Sequence, residues 1–330
     1  MLELSIVVCT YERPQRLARA LDAILATEGL ADAAVELIVV DNSEGETARA
    51  VVERAATRSS APVRFVPARP ANIAVARNAG AAAARGRFVA FLDDDQEVGP
   101  GWLETILRAA QTHPHDVFFA AVRPRFDDAD SANPAAAAMF SRLFDAPTGT
   151  SLSARRRIQP FVLGTGNSVF RRATTLAAPA PFDPAFGECG GEDFHLFLKL
   201  ERAGARFAWI AGAEAIEAVP AHRCAHDYLT LRHYAGGQAY AAALIDTSPA
   251  PGLVALSLAL RAHAQTAALT LRARLAPGDE GARAGRALRL AGVRGKLNWK
   301  SLHPLYRSEA RGEVAGEGSI PRGDAAAATG

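Results

Sequence analysis

Four short apolar runs, at residues 4–9, 35–40, 63–66 and 87–92, alternate with helical patterns, and this alternation narrows the fold more than any other feature of the chain. The first two, LSIVVC and VELIVV, are nearly continuous rather than alternating, as strands buried on both faces should be. Between them, Pro14 suits the first turn of a helix to about Ala26 that carries Leu17, Leu21, Ile24 and Leu25 on one face. Asn72 is a good N-cap for residues 73–84, where Ala76, Ala79, Gly80 and Ala83 form a face small enough to approach a sheet closely. Strand, helix, strand, helix in strict succession predicts an α/β domain with a mainly parallel sheet.

Three of these strands run into polar residues. Thr10 and Tyr11 follow the first, Asp41 ends the second, and Asp93, Asp94 and Asp95 end the fourth. In a right-handed doubly wound sheet such ends share one rim, which is where ligands bind. Asp41 is expected there at the base or ribose of a nucleotide. The three adjacent aspartates repel one another and invite a hard divalent cation held together with phosphate oxygens. A solvated acidic turn is the plain alternative for an isolated triple aspartate. No GxGxxG follows the first strand and no GxxxxGK[ST] occurs, so a nucleotide here is held through a metal and not through a glycine cradle.

Composition sets the outer bounds. At 330 residues and 49% hydrophobic content, the chain can bury one large or two packed domains. A net charge of +2 gives no general attraction to nucleic acid. Cys9, Cys189 and Cys224 are scattered and lack a CxxC, fitting a reducing cytosol and no zinc site. The start, MLELSIVVCTYERP, reads as a first strand and not as a signal peptide, and no apolar window is long enough to span a bilayer.

Taken together and in order, TYERP, VVDNS, ARNAGAAAARG, FLDDD, GTGNSVFRR and GGEDFHLFLKL resemble the signature of family 2 glycosyltransferases over about residues 3–225. Within that family the chain is similar to bacterial exopolysaccharide glycosyltransferases of the succinoglycan type. The resemblance implies a GT-A fold: a Rossmann-like, mixed, mainly parallel sheet with helices on both faces. It implies an inverting, metal-assisted enzyme that uses a nucleotide sugar, most commonly a UDP-sugar. Asp193 then matches the general base, with Glu192 as the second candidate base or as an acceptor ligand. Asp95 and Asp93 match the contacts to a divalent metal (Mn or Mg) and to the ribose and diphosphate, with Asp94 supporting the turn. Asp41 and Arg77 match the base-recognition residues, Thr10, Tyr11 and Arg13 the loop flanking the nucleoside, and Gly166 and Asn167 a position under the donor sugar. His222 stands as a third metal ligand. Many relatives carry an acid at the position of His195, and here a half-buried structural histidine or an altered acceptor contact replaces it.

Beyond Glu97 the pattern loosens. A helix is expected over 102–111 and strands over 117–122 and 168–170, with residues 161–163 resuming the sheet. Residues 127–160 read as partly helical excursions and a mobile loop, and a further strand is expected over 208–216. A helix beginning near Glu192 places both acids in its first turn, where exposed N–H groups favour their ionised form. Past residue 225 the chain is helical, over 228–244, 253–275 and 282–297. Between Leu253 and Arg307 it carries ten basic residues against two acids, Asp279 and Glu280. Such helices either lie in a membrane interface or pack on protein. The expected division is therefore 1–225 catalytic, 226–307 a basic helical extension that could associate with membrane, and 308–330 a disordered tail.

The function expected is transfer of a sugar to a hydroxyl of a saccharide or polyprenyl-linked acceptor in surface polysaccharide synthesis, in the cytoplasm or on the inner face of the cell membrane. Two alternatives remain. A sugar nucleotidyltransferase would want a glycine-rich basic loop after the first strand, and a non-catalytic nucleotide-sugar-binding protein would not need Asp95 and Asp193.

Overall fold

In the computed structural model, residues 2–156, 162–276 and 278–305 are described. The first part alternates as the sequence predicts: β1 (Leu4–Thr10), α1 (Pro14–Leu25), β2 (Val35–Asp41), α2 (Arg49–Arg58), β3 (Val63–Pro67), α3 (Ile73–Ala83) and β4 (Phe88–Asp93). Then follow β5 (Gln96–Val98), α4 (Trp102–Thr112), β6 (Val117–Phe126), α5 (Pro134–Phe140), β7 (Ser151–Leu152), β8 (Ser168–Arg171) and the short α6 (Arg172–Thr175). The remainder is α7 (Glu192–Arg202), β9 (Phe207–Val219), the short α8 (Ala221–Cys224), α9 (His226–Asp246), α10 (Pro251–Leu275) and α11 (Glu280–Leu297).

The strands form one nine-stranded sheet in the order β3-β2-β1-β4-β8-β6-β9-β5, with β7 added beside β9. β1 pairs in parallel with both β2 and β4, and β2 with β3. β8 runs antiparallel between β4 and β6, which makes the sheet mixed. β1 and β2 are buried at every position, which is why their sequences are continuous rather than alternating. On one face of the sheet Ile6, Val8, Leu37 and Val39 meet Leu17, Leu21 and Trp102. On the other, Val7, Val40, Val89 and Phe170 meet Ala76, Phe182 and Phe197. A β-carbon on Gly80 would collide with Val7, so the small face of α3 does bring that helix close to the sheet.

The extension is fastened to this body. α9 packs Ala239, Ala242 and Ala243 on Phe186, Cys189 and Leu198. It also crosses α11 with the two backbones nearly touching, since side chains at Gly237 and Gly295 would strike Gly292 and Tyr234 carbonyls.

Where the fold departs from expectation, long-range pairing is the reason. β5 and β7 are too short to show periodicity and exist because they pair with β9. β9 reaches from Phe207 to Val219, bending at Gly212 (φ +85°) and at a register shift opposite β6. Val162 and Leu163 are not in a strand; Val162 is instead packed in the core, and Phe161 lies outside the described residues. The expected tail at 308–330 also lies outside them.

Candidate active site

β1 and β4 are neighbours in the sheet, and the chain leaves β1 toward β2 on one side and reaches β4 on the other. Their carboxyl ends thus flank the crevice where the strand order reverses. The crevice is closed at its floor by Thr10 Oγ1, which donates to Asp94 Oδ2 at 2.7 Å. Behind Thr10 the loop turns sharply, with Glu12 in the left-handed region at φ +53°. That turn brings Arg13 to 3.5 Å from Asp94 and 3.7 Å from Asp95. Tyr11 is half-buried in the same loop.

Asp95 is buried, and three arginines converge on its Oδ2: Arg13, Arg16 at 3.8 Å and Arg223 at 3.7 Å. These separations exceed hydrogen-bonding distance, so the fan acts through charge. Burial, Glu217 and Asp94 together push the Asp95 carboxyl well above the usual carboxylate range, against the pull of Arg223. Burial likewise raises Asp94, with Arg13 and Thr10 opposing.

Asp93 is the open member of the three, with its side chain 36% exposed. Its carboxylate takes Arg77 Nη2 at 3.3 Å and lies 3.4 Å from Gln96 Nε2. Gly166 backs directly onto it, for a β-carbon there would strike the Asp93 carboxylate and the Gln96 amide. The turn of 164–167 is held by Asn167, itself at φ +55°. Its amide donates to Ala121 O (2.7 Å) and Ala213 O (2.8 Å), and its Oδ1 accepts from Trp102 Nε1 at 2.9 Å. The Asn167 side chain is therefore engaged in fastening the turn to β6, β9 and α4. In the same turn the hydroxyl of Thr165 is buried without a hydrogen-bond partner.

Arg77 joins the two acid groups. From α3 it reaches Asp93 with one guanidinium nitrogen and forms a close buried ion pair through the other with Glu192 Oε1. Glu192 and Asp193 begin α7, which has no side-chain N-cap. Burial pushes the Glu192 carboxyl up to about 8; Arg77 opposes this and Asp193 adds to it. Its second oxygen is buried and unpartnered. Asp193, by contrast, is half-buried and accepts from the Phe194 amide at 2.6 Å.

Other expected residues lie elsewhere in the arrangement. Asp41 is fully buried and spends both oxygens on the turn between β2 and α2: Oδ1 on Ser43 N and Oγ, Oδ2 on Ala48 N at 2.8 Å. His222 is exposed on α8 and meets Tyr228 edge-on, with ring centroids 6.2 Å apart. Among the described residues no three His, Cys, Asp or Glu side chains form a group that could hold an ion, so His222 does not join Asp93 and Asp95 in a ready-made site. His195 is fully rather than half buried. It stacks on Phe186 at 4.4 Å and meets Asp246 Oδ2 of α9 at 2.7 Å. Sequence reasoning passed over Arg16, Gln96 and Thr165. Arg16 was legible, being one turn beyond Arg13 on α1; Thr165 stood inside the glycine-rich motif without a signal of its own.

Residues 5–175, just over half of the chain, match the glycosyl transferase family 2 model. Succinoglycan biosynthesis protein ExoM of Rhizobium meliloti (strain 1021) is 30% identical over 245 residues, covering 74% of this chain and 76% of that one. Among solved structures, S. aureus TarS 1-349 in complex with UDP-GlcNAc superposes with a TM-score of 0.55 at 14% identity, over 94% of this chain and 92% of that one. The mannosyltransferase PcManGT from Pyrobaculum calidifontis, in complex with GDP-Man and Mn2+, gives 0.54 at 19% identity, over 91% and 88%. These last two establish the GT-A fold, and the match in sequence establishes that the chain belongs to glycosyl transferase family 2 and is a glycosyltransferase.

Proposed function

We propose that the chain transfers a sugar, with inversion, from a nucleoside-diphosphate sugar to a hydroxyl of a saccharide or lipid-linked saccharide in exopolysaccharide synthesis. The observation that supports this reading is the Asp93–Arg77–Glu192 chain, which ties the first turn of α7, where Asp193 is the next residue, to the acidic end of β4. The acceptor oxygen attacks the anomeric carbon opposite the diphosphate. As the new C–O bond forms, its proton passes to the Asp193 carboxylate and the nucleoside diphosphate leaves with the electrons of the broken bond. Asp193 suits the role better than Glu192, because it is accessible while Glu192 is buried against Arg77. Glu192 positions Arg77.

Arg13, Arg16 and Arg223 offset part of the negative charge around Asp95, and a divalent cation would offset more of it. The buried Asp95 carboxylate sits among Asp94, Asp93 and Glu217, whose repulsion a dication would relieve. Asp93 and Asp95 are the residues that would hold Mn or Mg. Such an ion would neutralise charge on a departing diphosphate. The UDP-GlcNAc and GDP-Man complexes of TarS and PcManGT support a nucleotide-sugar donor, and the Mn2+ of PcManGT supports the metal.

The test is donor turnover by the full chain with UDP- and GDP-sugars, with and without manganese. Slow release of nucleoside diphosphate, lost in Asp95→Ala and Asp193→Asn, is expected. Release of pyrophosphate would point instead to nucleotidyl transfer and overturn the proposal, as would donor binding with no turnover on any acceptor.

A further inference from the structure

α10 is apolar on two opposite sides. Inward, Leu258 and Ala262 are buried, and Leu258 packs on Ala241 and Ile245 of α9. Outward, Leu253, Leu256, Leu260, Leu271 and Leu275 are each between 57% and 77% exposed. Their spacing keeps them on one side of the helix, with exposed Ala264 and Ala267 bridging the middle. Among the other large apolar residues described only Leu143 (44%) and Ile216 (39%) are exposed, and less so. The stripe runs the length of a 25-residue helix, about 37 Å. A helix apolar all round belongs against something on both sides.

Charge decides between occupants. α10 contains Arg261, Arg272 and Arg274, all exposed, and no acidic residue. A second copy docked along the stripe would line the seam with like charges. A surface of anionic phosphates would neutralise them instead, with leucines entering the acyl boundary and arginine stems reaching back to the headgroups. No helix among the described residues is long and apolar enough to cross a membrane, so the contact lies in the interface. We propose that the outward leucine stripe of α10, flanked by Arg261, Arg272 and Arg274, is a docking surface for an anionic lipid membrane. This surface stands apart from the transfer reaction and does not depend on it.

The experiment is co-sedimentation of the full chain with vesicles of phosphatidylcholine mixed with phosphatidylglycerol, and with vesicles of phosphatidylcholine alone. The chain is expected to sediment with the mixed vesicles and much less with the neutral ones. Leu253→Ser, Leu256→Ser and Leu260→Ser combined should lower the partition roughly tenfold or more. Arg261→Gln, Arg272→Gln and Arg274→Gln combined should abolish its sensitivity to salt. Both variants should keep the native melting temperature and donor turnover; if the leucine variant does not fold, the arginine variant decides. Three outcomes overturn the proposal: no sedimentation with anionic vesicles, undiminished sedimentation of the variants, or a native dimer that the leucine variant turns into a monomer while vesicles are ignored.

Discussion

Arg77 on α3 and Glu192 at the start of α7 are 115 residues apart in sequence and form a close, buried ion pair at the head of the crevice. Removing one partner leaves the other buried and uncompensated, which typically costs about 3–5 kcal/mol. Above about pH 8, where Glu192 is ionised, Arg77→Met should destabilise by that order, and adding Glu192→Met should recover much of the loss. Urea unfolding of the two single variants and the double variant measures the coupling. Turnover should stay low in the two variants that lack Arg77, because Arg77 also reaches Asp93.

Glu192 predicts a pH dependence of stability. Its carboxyl stands at about 8 in the folded protein against 4.5 as a model value. Between these values the folded state holds a proton that the unfolded chain has released. The group's contribution is therefore fully present below about 4.5, declines as pH rises through the interval, and levels off above about 8. Subtracting the stability of Glu192→Gln from that of the native chain at each pH should isolate this downward slope. A flat difference would show that the pair stays ionised throughout.

Asp193→Asn removes a proton acceptor without changing shape. Transfer should fall by roughly 10²–10⁴-fold, with donor binding little altered. Thermal shift with nucleoside diphosphates, set beside turnover, separates the two effects. Asp95→Ala should differ by weakening the manganese-dependent part of the shift as well.

Asn167→Ala should destabilise by about 3 kcal/mol, since it removes the partner of the buried Trp102 indole and places a residue with a β-carbon and no compensating hydrogen bond at positive φ. Asn167→Gly relieves the backbone but still lacks the side-chain hydrogen bonds, so it should fall between alanine and the native residue in urea unfolding.

Much of this architecture is legible in the sequence because burial writes itself into local pattern. β1 and β2 are enclosed on both faces and read as unbroken apolar runs; the small face of α3 announces its close approach to Val7. The acidic end of β4 stands out for the same reason, as an apolar run that stops at charge. What was not legible depends on partners distant in the chain. Gln96–Val98 becomes a strand only because β9 lies beside it, and the arginine fan on Asp95 draws its members from positions 13, 16 and 223. Asp41 ends a strand, which points to a nucleoside, but the sequence does not show that its carboxylate also fastens the turn through Ser43 and Ala48.

The contact between His195 and Asp246 carries a consequence for where this protein can be divided. The sequence pattern turns helical past residue 225, yet Asp246 lies beyond that point and is bonded to a histidine on the helix that bears the acid pair. Cutting the chain there would strip His195 of its partner and uncover Phe186, Cys189 and Leu198. The chain is thus continuous in packing across that point: α9 forms the back of the body that carries the acid pair, and a pull on the helices beyond it is felt there.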